Sequence, residues 1–179
     1  MKIIKIVLFI ILIFGVSNAQ EKKAGIGFYV KPGISFLGKN TYTQNTLQTA
    51  AFEWGGGIIF LNKICYEYTS YESEGRNKTD NSKDILKVNS MRVGVLSTFP
   101  IHEKINFRFA TGVSINSFKL DFQIIGYYAS LGFEKEINKS GLNYFFDIQY
   151  DLANYQREDF SGNLGGFKMF LGLIFVAKK

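Results

Sequence analysis

The sequence predicts an all-β chain: an eight-stranded antiparallel up-and-down barrel of the transmembrane, outer-membrane type. Three observations lead there: an export signal, eight segments of period-two alternation, and glycines gathered on the polar side of that alternation. Successive side chains of a strand point to opposite faces, so a period of two reads as strand.

The N-terminus, MKIIKIVLFIILIFGVSNAQ, has Lys2 and Lys5 ahead of an apolar run, Ile6 to Val16, and then the small-residue site Ser17-Asn18-Ala19. Such an order reads as a cleavable signal peptide over residues 1–19, because the run is shorter than the ~20 residues a helical span needs. Removing those 19 of 179 residues leaves 160, the size of one domain (20–179). Net charge falls from +6 to +4 as Lys2 and Lys5 depart, and the remaining excess is scattered, which gives no nucleic-acid face. Cys65 is the only cysteine, which rules out an internal disulfide framework, and it lies far downstream of the signal, so a lipoprotein anchor is not expected. The mature chain has no second long apolar run, and 18 Phe, 10 Tyr and 18 Gly against 2 Pro favour sheet over helix.

Taken in order, the alternating segments are as follows. Gly25–Phe36 puts Ile26, Phe28, Val30, Ile34 and Phe36 on one face and Tyr29, Lys31 and the glycines on the other. AFEWGGGIIFL opposes Phe52, Trp54, Ile58 and Phe60 to Glu53, Gly55 and Gly57, and ICYEYTSYE opposes Ile64, Tyr66 and Tyr68 to Glu67 and Thr69. A fourth segment, about Ile85 to Phe99, sets Met91, Val93 and Val95 against Arg92 and Gly94. Its apolar Leu86 and Val88 fall on the opposite parity, which predicts a bulge near Asn89. INFRFATGVSIN alternates Ile105, Phe107, Phe109, Val113 and Ile115 with Arg108, Gly112 and Ser114. IIGYYASLGFE alternates Ile125, Tyr127, Leu131 and Phe133 with Gly126, Gly132 and Glu134. NYFFDIQYDL sets Tyr144, Phe146, Ile148 and Tyr150 against Asp147, Gln149 and Asp151, and GFKMFLGLIFVA sets Phe167, Met169, Leu171, Leu173 and Phe175 against Lys168 and Gly172.

Segments of roughly 9–13 residues suffice to cross a bilayer when tilted. Short turns at Leu61–Lys63, Pro100–Lys104 and Asn138–Gly141 alternate with longer polar loops at Leu37–Ala50, Gly75–Asp84 and Asn154–Gly165. Only the connection at Lys119–Gln123 breaks that rhythm by being short. Short-long alternation is the mark of an up-and-down barrel with one end in the periplasm and the other outside.

Two facings of such a barrel are open: a soluble lipocalin-like one with its apolar parity inside, and a membrane one with that parity outside. The glycines share the polar parity, where a narrow lumen has reason to collect them and a wet surface has not. Mid-strand charges on that parity are few and of mixed sign. Lys31, Glu53, Glu67, Arg92, Arg108, Glu134 and Asp147 would neutralise one another in a confined interior. An arginine facing lipid would instead cost roughly 2–4 kcal/mol at the midplane. The membrane facing is therefore expected, with Glu53, Glu67, Arg92, Arg108, Glu134 and Asp147 forming a structural polar network in the lumen. Tyrosines and Trp54 near strand ends suit interfacial girdles.

The signal peptide, the strand count, the aromatic-and-glycine strands and the ending FLGLIFVAKK together resemble the small outer-membrane barrels, the OmpA/OmpX-like and especially the PorT-like families. The resemblance covers about 155 residues by pattern, with no diagnostic motif. Gly172, Phe175 and Ala177 take the places of a terminal assembly signal, which implies the outer-membrane assembly machinery as a partner of the last strand. The chain departs from that pattern by running on to Lys178-Lys179 instead of ending on an aromatic.

No catalytic, cofactor-binding or metal-binding residue is predicted. His102, the only histidine, lies in the turn PIHEK away from any lipid-facing surface, and Cys65 has no partner base in the pattern. Gly25-Ile26-Gly27 opens a strand and lacks a third glycine, so no dinucleotide site follows. The expected function is a non-enzymatic integral outer-membrane protein, structural or interacting at the surface through its long loops with a partner the sequence does not name. A small-solute or ion channel is one alternative, and a soluble barrel carrying an apolar ligand is another.

Overall fold

The computed structural model of the chain describes residues 25–37, 50–76, 83–118, 122–137, 141–157 and 160–177. The signal-peptide segment and all or part of five connections (38–49, 77–82, 119–121, 138–140 and 158–159) fall outside these residues. All regular structure among them is β: β1 (Ile26–Leu37), β2 (Ala50–Phe60), β3 (Ile64–Arg76), β4 (Lys83–His102), β5 (Ile105–Phe118), β6 (Phe122–Glu136), β7 (Leu142–Leu152), β8 (Asn154–Arg157), β9 (Phe160–Asn163) and β10 (Gly166–Ala177). Eight of these close into a barrel in the order β1-β10-β7-β6-β5-β4-β3-β2, while β8 and β9 make a separate hairpin. Every neighbouring pair is antiparallel.

The first and last barrel strands pair from Ile26↔Ala177 to Leu37↔Gly166, so the sheet has no edge. That seam skips Lys31 and Pro32, as expected where proline brings no N–H to the ladder. At one end, Leu61 and Asn62 both sit at positive φ (53° and 56°) and Lys63 N–H donates to Phe60 O at 2.9 Å. This is the tight primed-turn geometry that suits strand twist. Glu103-Lys104 turns at the same end, since β4 runs as strand as far as His102.

The period-two faces separate as inside and outside. Phe52, Ile125 and Leu171 are 65%, 71% and 63% exposed, and outward apolar side chains continue around all eight barrel strands. A soluble monomer does not display so wide an apolar surface. Inward lie Lys31, Glu53, Arg92, Phe145, Gln149 and Lys168, all buried. The soluble facing is thereby excluded. One aromatic group sits toward each end of the belt: Trp54 against Tyr68 with ring centroids 6.3 Å apart, and Phe107 between Phe99 and Phe133 at 6.5 and 5.8 Å.

The lumen also holds large rings, and the glycines accommodate them. Tyr29 lies opposite Gly57, Tyr128 opposite Gly112, Phe145 opposite Gly172 and Phe170 opposite Gly33. In each case a Cβ built on the glycine would collide with that neighbouring ring. A ring laid over a cross-strand glycine fills the narrow interior and covers the bare backbone.

The expected bulge near Asn89 is absent. Asn89 pairs in continuous register with Ser70 on one side and Ser117 on the other, and the irregularity of β4 lies instead between Pro100 and His102. Val88 is apolar on the inward parity for a different reason. It pairs with Tyr71, whose side chain meets Leu164, and all three are buried. Tyr71 Oη donates to Leu164 O at 2.9 Å, and Leu164 N–H donates to Ala153 O at 3.1 Å. Leu164, just after β9, thus caps the mouth of the barrel at the end opposite the short turns.

Replacing Leu171 by Arg, mid-strand on the belt, is expected to destabilise the lipid-inserted protein by about 2–4 kcal/mol. Phe36→Arg, at the belt's edge, should cost no more than about 1 kcal/mol. Urea titration in phospholipid vesicles checks both, and equal effects would contradict this facing.

Candidate functional site

The inward charges fall into two clusters. In the upper one, nearer the capped mouth, the Arg92 guanidinium on β4 reaches three carboxylates. It lies 2.7 Å from Glu67 Oε1, 2.6 Å from Asp151 Oδ2 and 3.4 Å from Glu53 Oε1, and it donates to Thr69 Oγ1 at 2.8 Å. Lys168 on β10 bridges Glu53 and Asp151 at 2.8 and 3.2 Å. Lys31 on β1 pairs with Glu67 at 2.5 Å and donates to Gln149 Oε1 at 3.1 Å. Three cations therefore meet three carboxylates, and the net charge is zero. Neutral donors complete the shell: Ser35 to Glu53, Tyr29 to Glu67 at 2.9 Å and Gln149 to Asp151 at 2.7 Å. Aromatic faces lie alongside the cations, with Lys31 Nζ 4.0 Å from the Phe170 ring centre.

The lower cluster holds Arg108, Glu134 and Asp147. Arg108 donates to Glu134 Oε2 at 2.9 Å, its Nε lies 3.4 Å from Asp147 Oδ1, and its guanidinium lies over Phe145 at 4.3 Å. Asn143 donates to Glu134 Oε1 at 2.5 Å. Here one cation faces two carboxylates, and Asp147 Oδ1 is buried without a hydrogen-bond partner.

The six residues expected in the lumen thus divide into Glu53, Glu67 and Arg92 above and Arg108, Glu134 and Asp147 below. Lys168 and Asp151, outside those six, complete the upper balance. Both stand on the polar parity of their strands, and that parity was the available signal. Cys65 is buried with Sγ 3.2 Å from Tyr128 Oη, and His102 is exposed at the short-turn end.

Between the clusters lies a cavity of about 20 Å³, lined in part by Lys31, Glu67, Arg108 and Asp147. That is room for about one water molecule. Below the lower cluster the barrel opens into a cup of about 720 Å³ at the short-turn end.

No protein-family model matches the chain, and no curated protein matches it. Solved structures do. The outer membrane protein OprG from Pseudomonas aeruginosa is similar with a TM-score of 0.66 at 11% identity, over 88% of this chain and 98% of that one. Neisserial surface protein A, NspA, is similar with a TM-score of 0.57 at 11% identity, over 88% of this chain and all of the other. The chain has the fold of the small eight-stranded outer-membrane barrels. With the apolar belt on its outside, it is an integral outer-membrane barrel. The narrower PorT-like resemblance has no counterpart in these matches.

Arg92→Met would leave three buried carboxylates facing two lysines, and a cost of about 3–5 kcal/mol is expected. Lys87→Met removes the exposed Glu72–Lys87 pair (2.9 Å) and should leave the midpoint unchanged. Urea unfolding in the same lipid compares them, and similar losses would contradict the lumen's role. Gly57→Val is expected to displace the Tyr29 ring from Glu67 and to cost roughly 1–3 kcal/mol by overpacking, read by the same titration.

Proposed function

We propose that this protein is a non-enzymatic, non-conducting barrel that acts as a structural element of the outer membrane and through contacts at its ends. The observation that carries the reading is the neutral Arg92 cluster, which crosses the lumen beneath the Leu164 cap. Among the described residues, the side chains around this cluster surround a cavity of about 20 Å³, which favours a lumen closed to hydrated ions. Opening a path would require breaking ion pairs whose separation in a dry interior costs several kcal/mol. The lumen carboxylates lie beside cations, an arrangement that favours a structural over a catalytic use of them.

A surface role is favoured by the ribbon formed where β3 and β4 outgrow the barrel. β3 pairs with β2 only as far as Tyr71, and β4 pairs with β5 only from Val88, whereas the two strands continue together to Arg76↔Lys83. This projecting ribbon and the long loops at the same end are the contact surface proposed for an extracellular partner. On the membrane side the partners proposed are lipid around the belt and, through β10 with Gly172, Phe175 and Ala177, the assembly machinery.

Planar-bilayer recording of the refolded protein is expected to show no unitary current steps above baseline at 100 mV, a deliberately strong driving voltage. Reproducible steps would replace this reading with the channel alternative.

A further inference from the structure

The small cavity between the two clusters is lined by charges of both signs. Lys31 and Glu67 reach it from the upper cluster, and Arg108 and Asp147 from the lower one. All four residues are buried. Ile59, Leu96 and Ala110, which belong to the buried core cluster, supply apolar lining around them.

Two of these lining residues carry atoms with unused hydrogen-bonding capacity. Among the described residues, the Arg108 Nε–H has no acceptor and Asp147 Oδ1 has no donor, and both atoms are buried. They lie 3.4 Å apart, an ion pair whose geometry does not close into a hydrogen bond. Neither side chain is free to turn and close it. Arg108 is held by its bond to Glu134 Oε2 and by the Phe145 ring beneath its guanidinium. Asp147 Oδ1 stands over Gly132 on the neighbouring strand, where an added Cβ would collide with it. A buried donor and a buried acceptor left in this way are costly, and a third group that serves both removes the cost.

The lining decides what that group is. A cation would meet Lys31 and Arg108, and an anion would meet Glu67 and Asp147. A divalent metal is a poor match besides, because among the described residues no three His, Cys, Asp or Glu side chains converge as ligands. An apolar guest would leave both atoms unserved. What fits is a neutral molecule that donates and accepts. The volume of about 20 Å³ sets its size, since one water needs roughly 10–15 Å³ measured in this way.

We propose that this cavity is a binding site for a single structural water, which accepts from the Arg108 Nε–H and donates to Asp147 Oδ1. Its remaining hydrogen and lone pair serve the upper side of the lining, where Lys31 and Glu67 stand. Buried waters that make two to four such bonds are part of a protein's structure. Here the water joins the upper and lower clusters into one polar network through the middle of the lumen. The site does not depend on whether the barrel conducts.

The test is NMR of the perdeuterated, nitrogen-15-labelled mature protein in phosphatidylcholine nanodiscs, with the Arg108 Nε–H resonance assigned through its own side chain. A rotating-frame Overhauser cross-peak from this proton to the water resonance is expected. Its sign separates dipolar transfer from proton exchange with bulk solvent. Ala110→Val, which enlarges a lining residue into the cavity, should abolish the cross-peak. Ser130→Val does the same from the neighbouring strand, where Ser130 pairs with Ala110, and serves if the first variant does not fold. Heat-shifted gel migration verifies folding of each variant. No cross-peak in the natural protein would overturn the proposal. So would a cross-peak undiminished in a folded variant, which would trace the signal to a nearby hydroxyl instead of a bound water.

Discussion

Hydrocarbon supplies no hydrogen bonds, so every backbone amide that enters it must be paired inside the protein. For a chain of strands the only solution is a closed ring, and here the ring closes by joining β1 to β10. Other features follow from that closure. Eight strands enclose an interior just wide enough for side chains to fill, so what faces inward must be compact or mutually compensating.

Two devices meet that demand. Rings are laid over cross-strand glycines, as Tyr29 over Gly57 and Phe145 over Gly172, so bulk on one strand is matched by its absence on the next. Charges are placed where opposite signs meet, with Arg92 between Glu67, Asp151 and Glu53. The balance differs with depth. Above, it is complete and the barrel is plugged. Below, Arg108 is shared between Glu134 and Asp147, and the barrel widens into a cup. A stable stave and a one-sided pocket can thus coexist in one small barrel.

Much of this was legible in the sequence because a strand's period is two and its faces cannot mix. In NYFFDIQYDL the alternation alone separates Tyr144, Ile148 and Tyr150, which face out, from Asp147, Gln149 and Asp151, which face in. The parity of the glycines carried the choice of facing. Partner choice was not legible, because it depends on register between strands distant in sequence: Lys31 meets Gln149 across 118 residues and Lys168 meets Glu53 across 115. Val88 misled for the same reason. Its apolar character reflects burial beside its cross-strand partner Tyr71, whose hydroxyl meets Leu164 from far along the chain, whereas local phase suggested a bulge that the pairing does not contain. The cup left no sequence signal, since it is defined by where inward side chains stop.

The account rests on lipid touching the aromatic face of every strand, and the single tryptophan offers a direct probe of it. Trp54 points outward from β2 with 57% of its surface exposed, on the opposite parity from Glu53. Its fluorescence should be measured in vesicles of acyl-chain-brominated phosphatidylcholine and, separately, with iodide in the aqueous phase. Strong quenching by the brominated chains with little effect of iodide is the predicted result. Emission untouched by bromolipid but readily quenched by iodide would contradict the arrangement described.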